Sequence, residues 1–254
     1  IWVVGSLDQA GSGLVAKVDI RAFEAILENS SPELPILVDD ASRPMQMLFT
    51  SGTTGDPKAI LSPYSRMATA KMAYQLFKLT KNDKLYTGLS LTHANAQLLT
   101  LGSSLVAGIP CVISKRFTKS RLWDITRAYG CTVFNLLGGM TNAIYSEAPK
   151  SDDRENPVRM VVSAGMPLAI WSSFRDRFNV DIYEFYGAAE GGLTINPSGV
   201  GPIGSIGKPP ESLIAKIIDD NGNECSAGEP GEIVFLNSDG TTPQVAYFKN
   251  PKAT

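Results

Sequence analysis

The chain has no excess of charge of either sign: 23 Lys and Arg stand against 25 Asp and Glu, a net charge of −2 at pH 7. That balance excludes a broad basic surface for nucleic acid or an anionic membrane. It leaves room for a local anion site, because a phosphate needs only a few aimed donors. Cysteine is also scarce. Cys111, Cys131 and Cys225 are odd in number and widely spaced, so neither a disulfide framework nor a C-x-x-C metal site can be read from them. Buried, reduced thiols are expected, and with them a cytoplasmic setting. Long apolar runs are missing too. The most apolar stretch, 98–113, is interrupted by Gly102, Ser103, Ser104, Gly108 and Pro110, and reads as a core helix and a strand rather than a membrane span. No initiator Met and no signal peptide open the sequence. Ile1-Trp2-Val3-Val4-Gly5 looks like the middle of a strand, so a leader cannot be judged.

What is present is an ordinary globular composition, 43% apolar and 19% charged over 254 residues, enough for one large domain or two modest ones. No internal repeat is visible. Along the chain, 18–27 carries Ile20, Phe23, Ile26 and Leu27 at helical spacing behind Asp19 as a cap. A loop rich in Ser, Pro and Asp follows to Pro44, then a short strand over 45–49. From there helices over 65–79, 94–107, 120–129, 140–146 and 168–178 alternate with strands over 84–89, 109–114, 132–136, 159–163 and 181–185. Such alternation predicts βαβ units and an α/β fold, a largely parallel sheet with flanking helices. The segment 196–210, with four Gly and four Pro, reads as a connection. Beyond it, 213–218 and 232–236 are β-rich, with a tight turn at Asp220-Asn221-Gly222. The expected organisation is an α/β body over 1–195 and a small, mostly antiparallel β subdomain over 196–254.

The most informative segment is Thr50-Ser51-Gly52-Thr53-Thr54-Gly55-Asp56-Pro57-Lys58. Small or absent side chains let the backbone approach an anion closely, and successive N–H groups in such a turn form an anion-binding concavity. Ser51, Thr53 and Thr54 add hydroxyl donors, and Lys58 adds a mobile positive charge. The loop departs from the nucleoside-triphosphatase P-loop, because Pro57 precedes the Lys and Ala59 follows it. The bland alternative is a Gly/Thr turn with a surface lysine.

Ser51-Gly52-Thr53-Thr54-Gly55-x-Pro57-Lys58 resembles the signature loop of the adenylate-forming superfamily, which includes acyl- and aryl-CoA synthetases, luciferase-like enzymes and peptide-synthetase adenylation domains. A chance match at its seven specified positions has odds on the order of one in a billion per starting site. The resemblance implies a loop that closes over the β- and γ-phosphates of ATP, with Thr50 through Gly55 and Lys58 as its contacts. Tyr186-Gly187-Ala188-Ala189-Glu190, expected just beyond a strand end, is similar to the family segment Y-G-x-T-E. By that likeness Tyr186 stacks on adenine, Glu184, Phe185 and Gly187 border the nucleotide, and Glu190 helps hold Mg²⁺ on the phosphates. A flat ring suits a purine, and a hard oxygen suits Mg²⁺. Ala189 stands where the family usually has Thr, removing a hydroxyl expected near the α-phosphate, so weaker nucleotide binding or slower turnover is expected.

Ser163-Ala164-Gly165-Met166-Pro167 looks like the small-residue turn lining the family's adenine and acyl pockets, which makes Gly165 a contact. The stretches 201–209 and 228–233 resemble its scaffold segments. His93, the chain's one histidine, resembles a His beside the acyl pocket of many acyl- and aryl-CoA synthetases, and otherwise reads as a satisfied loop or core histidine. The runs 90–97 and 243–251 are similar to crotonobetaine/carnitine-CoA ligase-like members. Lys58, Glu190 and His93 are thus the expected catalytic groups. ATP, Mg²⁺ and CoA are the expected co-reactants, and a small carboxylic acid the expected partner. Neither nucleic acid nor integral membrane contact is expected. Full-length members would extend past both ends, adding a T-G-D segment and a C-terminal domain bearing a catalytic Lys. A fragment or a truncated relative is therefore expected, binding nucleotide weakly and turning over little. Loading of a carrier protein, or a degenerate nucleotide-binding module without catalysis, stay open as alternatives.

Overall fold

In a computed structural model of the chain, residues 2–3, 21–22, 39–50, 57–243 and 245–254 are described, in two units, Ile1–Asp40 and Ala41–Thr254. In the first, Trp2–Val3 (β1) pairs in parallel with Arg21–Ala22 (β2). The strand reading at the start is met there. The helix expected over 18–27 is corrected at Arg21–Ala22, and the rest of that span lies outside the described residues. Helical spacing of apolar residues reports only local preference, whereas a partner strand far off in sequence decides which hydrogen bonds are made.

The second unit opens with an antiparallel hairpin. Pro44–Thr50 (β3) pairs with Lys58–Pro63 (β4), and Thr50 faces Lys58 in the last rung. The strand after the loop is an element the sequence reading lacks. Ser51, Gly52, Thr53, Thr54, Gly55 and Asp56 lie outside the described residues, but both ends of their loop are tied together by that rung.

The main sheet contains Leu85–Thr87 (β5), Cys111–Ile113 (β6), Val133–Leu137 (β7), Met160–Ala164 (β8), Asp181–Ala188 (β9) and Gly191–Asn196 (β10). Its order is β6-β5-β7-β8-β9-β10, parallel throughout except for β10, which returns antiparallel to β9. The largely parallel sheet is therefore as expected. One boundary is corrected. Tyr186 and Gly187 lie inside β9, not beyond its end, because the hairpin partner β10 extends the strand through Ala188.

Helices cover both faces. They are Ala68–Leu76 (α1), led in by a 3₁₀ turn at Tyr64–Met67; Ser103–Ala107 (α2), continuing a π-helical turn at Ala96–Gly102; Leu122–Tyr129 (α3); Gly138–Tyr145 (α4); and Trp171–Phe178 (α5). Each falls within a span expected to be helical or close beside it. The widened turn before α2 accompanies a side-chain intrusion, with the Ser103 hydroxyl donating to the Leu98 carbonyl at 3.3 Å.

Strand alternation sorts the core into two layers. Phe134, Leu136, Val161 and Ile182 pack against Leu122, Trp123, Ile144, Phe174 and Phe178 of α3, α4 and α5. Val133, Met160, Val162 and Phe185 pack on the other side with Ala73 and Phe77 of the α1 region and Ala107 of α2. By the same period of two, Asn135 shares a face with Val133. Trp123 stacks on Phe178 with ring centroids 4.4 Å apart, and truncating Phe178 to Ala would cost about 3–5 kcal/mol.

One buried carboxylate ties the sheet's leading edge together. Asp83, just ahead of β5, accepts from Arg159 Nη2 at 2.7 Å and Nε at 2.8 Å, from the Thr132 hydroxyl at 2.8 Å, and from the Thr80 N–H at 2.7 Å. Burial works to raise its pKa, but these donors outweigh it and hold the carboxyl down at about 2.

The tail is a two-stranded antiparallel sheet of Leu213–Ile218 (β11) and Glu232–Asn237 (β12). The turn expected at 220–222 is there, with Asp219 Oδ1 accepting from the N–H groups of Asn221 and Asn223. The connection 196–210 folds back on its origin, Asn196 donating to the carbonyls of Pro202 and Ser205. All three cysteines are free, but only Cys131 is buried, whereas Cys111 and Cys225 are half-buried. Burial raises the Cys131 thiol to about 11, which keeps it inert. Among the described residues no helix is long and apolar enough to cross a membrane.

Candidate active site

From β5 the chain crosses first to β6 on one flank, then to β7 on the other, so the strand order reverses between β5 and β7. In open parallel sheets ligands bind outside the carboxyl ends of the strands at such a point. A cleft of about 540 Å³ opens there. Its polar border is Thr50 at the end of β3, Arg66, Thr92, His93 and Glu190. Its apolar wall is Met72, Ala73, Phe77, Leu98, Leu99 and Leu137, with Phe185 and Gly187 of β9 alongside. The hairpin end, the β5 loop and the β9–β10 turn therefore meet at one opening.

His93 leaves β5 at the exposed rim, where its Nδ1 accepts the Asn95 N–H at 3.2 Å. Partial loss of hydration lowers its pKa from the ordinary value, and the accepted bond also favours a neutral ring with its proton on Nε2. Glu190 sits in the turn between β9 and β10. Its Oε1 accepts the Tyr247 hydroxyl at 2.9 Å. Arg66 donates from Nη1 to the Ala189 carbonyl at 2.7 Å. Burial draws the Arg66 pKa down, and the nearby charge of Glu190 acts against that. Lys58 opens β4, exposed, with Nζ 5.4 Å from the Tyr247 ring centroid. Tyr247 is placed by backbone: Ala246 and Phe248 run along β4, Leu61 N–H donating to Ala246 O at 3.2 Å and Phe248 N–H to Ala59 O at 2.7 Å. One aromatic ring thus reaches both the expected phosphate lysine and the expected metal carboxylate.

The turn after β8 is built by close backbone approach. Gly165 has φ +94°, and a Cβ on Gly138, the first residue of α4, would stand 2.7 Å from the Gly165 carbonyl oxygen. From below, the Glu184 carboxylate accepts the N–H of Gly165 at 2.5 Å and of Met166 at 3.0 Å. Burial raises the Glu184 pKa, and those two bonds oppose the rise. Glu184 is 3% exposed, so its side chain braces the protein's own backbone instead of facing the cleft. Tyr186 also lies away from the cleft lining. Its ring stacks on Phe235 of β12 at 6.0 Å with an interplanar angle of 7°. Gly192 makes room for that pair, since a Cβ there would run into the Phe235 ring.

Behind the cleft lies a smaller cavity of about 20 Å³, sharing Phe77 and Leu99 with it and bordered by Thr100 and Asn135. Thr100 donates its hydroxyl to Asn135 Oδ1 at 3.0 Å, and Asn135 Nδ2 donates to Asn95 Oδ1.

The structure therefore brings Thr50, His93, Phe185, Gly187 and Glu190 to one cleft, with Lys58 linked to Glu190 through Tyr247. Sequence reasoning misses Arg66, Tyr247 and Asn95. No local signal marks Arg66, which stands between Ser65 and Met67 with Lys71 five residues on. Nothing local marks Tyr247.

A Mg²⁺ ion is commonly held by one or two carboxylates plus phosphate oxygens and water. Among the described residues no group of three His, Cys, Asp or Glu forms a cage. Glu190 alone, half-buried in the cleft and with one oxygen engaged by Tyr247, fits a cation held chiefly by a bound nucleotide.

A family model described as AMP-binding enzyme matches residues 7–242. The chain is 33% identical over 206 residues to long-chain fatty acid transport protein 1 of Homo sapiens, covering 74% of this chain and 32% of that protein. It is 30% identical over 211 residues to medium/long-chain-fatty-acid–CoA ligase FadD17 of Mycobacterium marinum, covering 82% and 41%. Its fold matches that of O-succinylbenzoate coenzyme A synthetase from Bacillus subtilis in complex with AMP, with TM-score 0.76 and 22% identity over 93% of this chain and 49% of that one. The same synthetase in complex with ATP and magnesium ion also gives 0.76, at 21% identity over 93% and 50%. The chain thus spans between about a third and a half of the length of these proteins.

Proposed function

The chain belongs to the AMP-binding enzyme family, and on that premise we propose that it is the nucleotide- and acyl-binding portion of an ATP-dependent acyl-CoA synthetase. The observation that carries this reading is the cleft at the strand-order reversal, where Thr50, His93 and Glu190 border an opening whose wall is apolar. A nucleotide polyphosphate needs the first side and an acyl chain the second.

In the proposed reaction a carboxylate oxygen attacks the α-phosphorus of ATP. The new O–P bond replaces the bond to the β,γ-pyrophosphate, which leaves, and acyl-AMP results. A CoA thiolate then adds to the acyl carbonyl and AMP departs. The difficulty of the first half is an anion attacking a phosphorus surrounded by negative charge, so alignment and fixed cations supply the catalysis. Lys58, at the foot of the loop, is assigned to the phosphates that leave. Arg66 fixes the Ala189 carbonyl and so the turn that presents Glu190. Neutral His93 borders the carboxylate without adding charge. A Mg²⁺ held at Glu190 would neutralise charge developing on pyrophosphate. Gly165 is assigned to the adenine side of the site, and Tyr186, stacked on Phe235, to the support of that side. The free thiols support a reducing compartment.

ATP–pyrophosphate exchange tests this, measured on the chain and on the full reading frame that encodes it, across aliphatic, aromatic and amino acids. Exchange dependent on an acid, followed by acyl-CoA formation, is expected from the full reading frame, and little from the chain alone. Exchange with loading of a carrier thiol but not CoA would move the protein to carrier loading. ATP binding with no exchange from either would favour a nucleotide-binding module without catalysis. The observation behind that last reading is Ala189 beside a Glu190 already engaged by Tyr247.

A further inference from the structure

At the inner end of the cleft, Thr100, Asn135 and Asn95 form a polarised chain of hydrogen bonds between the small rear cavity and the main cleft. Thr100 gives its proton to Asn135, and Asn135 gives one of its own to Asn95. The chain ends at Asn95 Nδ2, which is buried and has no hydrogen-bond partner. Asn95 is 7% exposed and lines the cleft, while Thr100 and Asn135 are 2% and 4% exposed. The surroundings are hydrocarbon: Leu98, Leu99, Phe77 and Met72 line the same cleft. Packing that served a plain alkyl chain would not need two buried amides here, and an unpaired buried donor is costly unless something arrives to accept from it.

Resting on the acid-activating function proposed above, we infer that Asn95 is a specificity residue for a carboxylic acid whose chain carries a neutral hydrogen-bond acceptor, such as a keto or hydroxyl oxygen. Asn95 Nδ2, closed off in this structure, donates to that oxygen once the chain seats along the Leu98–Leu99 wall and the amide turns to meet it. Asn135 and Thr100 hold the Asn95 amide in the donating orientation. A site built to hydrogen-bond a substrate discriminates strongly against an analogue lacking the group, because its own polar atoms are left unpaired.

The test uses straight-chain acids paired with keto acids of equal length, the wild-type protein and the Asn95→Leu variant. Acid-dependent ATP–pyrophosphate exchange and direct calorimetric binding of each acid are measured side by side. For the best-fitting length, the keto acid is expected to exceed its alkyl partner in kcat/KM by roughly tenfold to a hundredfold. Asn95→Leu is expected to abolish or invert that ratio, and Thr100→Val to reduce it by a smaller factor. Exchange with equal rates for both partners, unchanged by Asn95→Leu, overturns the inference and leaves acid activation standing; it would mean that water satisfies the amide. Selective keto-acid binding that Asn95→Leu removes, without exchange, supports the pocket and overturns acid activation instead. Neither exchange nor selective binding overturns both.

Discussion

The hydroxyl of Tyr247 donates to Glu190 Oε1 at 2.9 Å across 57 residues of chain, and the same ring stands 5.4 Å from Lys58 Nζ. A cation drawn to Glu190 must share or displace that hydrogen bond. Such a bond to a charged acceptor is worth about 1.5–3 kcal/mol, somewhat less at this half-exposed position. Tyr247→Phe is therefore expected to fold normally and to lower the Mg²⁺ concentration required for ATP binding by a few-fold to about tenfold. Magnesium titrations at fixed ATP measure this. An unchanged midpoint would show that the bond orients Glu190 without competing for it.

Ala189→Thr restores a hydroxyl at the turn that presents Glu190. Ala189 is not among the described non-glycine residues with positive φ, so a β-branched side chain can be accepted there without strain. The variant is expected to bind ATP about tenfold to a hundredfold more tightly, the equivalent of one hydrogen bond to a charged group. Calorimetry on both proteins decides it; equal affinity would mean that the added hydroxyl does not reach a phosphate.

Arg66→Met removes the donor that holds the Ala189 carbonyl while keeping much of the side chain's apolar stem. ATP affinity is expected to fall roughly tenfold, the scale of a lost charge-assisted bond. Arg66→Lys is expected to recover part of that loss, because a lysine ammonium can still donate to one carbonyl. Full affinity in Arg66→Met would show that the turn holds its shape unaided.

Stability in acid should report Asp83. Its folded pKa of about 2 lies below the unfolded value, so its contribution is present above pH of about 4 and is lost as pH falls toward the folded value. The contribution is roughly 2 kcal/mol. Urea unfolding between neutral pH and pH of about 3 should show a decline that is shallower in Asp83→Asn. That variant should already be weaker at neutral pH, because Arg159 loses its carboxylate. Parallel pH profiles in the two proteins would assign the acid sensitivity elsewhere.

His93 is the chain's one histidine, so its NMR titration is unambiguous. Loss of hydration lowers its pKa, and the midpoint is expected below the ordinary value of about 6.5. A midpoint at or above that value would contradict the neutral ring assigned to the cleft rim.

The parallel strands are legible in the sequence because each is a short apolar or β-branched run closed by a turn, and the pattern needs no distant partner to be seen. His93 and Glu190 are legible for another reason: each sits in a motif next to a strand end, and strand ends in such a sheet converge on one edge. What escapes is decided by partners remote in the chain. Tyr247 lies against Glu190 and Lys58 only because the segment around it runs along β4. Tyr186 stacks on Phe235, which belongs to a different sheet. Glu184 faces inward by strand alternation, in the same register that buries Ile182. The span 18–27 has helical spacing, yet at Arg21–Ala22 a parallel partner prevails.

The bare-backbone contact between Gly138 and Gly165 fixes which parts of the cleft can change over evolutionary time. Any side chain on Gly138 collides with peptide atoms that have no rotamer to yield, so that side of the cavity works as a datum plane. Mutational drift toward new substrates is left to the π-helical turn and the Asn95 segment that precedes it, both of which line the cleft. A library randomised at Asn95, Leu98 and Leu99 would therefore sample the accessible range of acids, while the same diversity spent on the two glycines would return mostly unfolded protein.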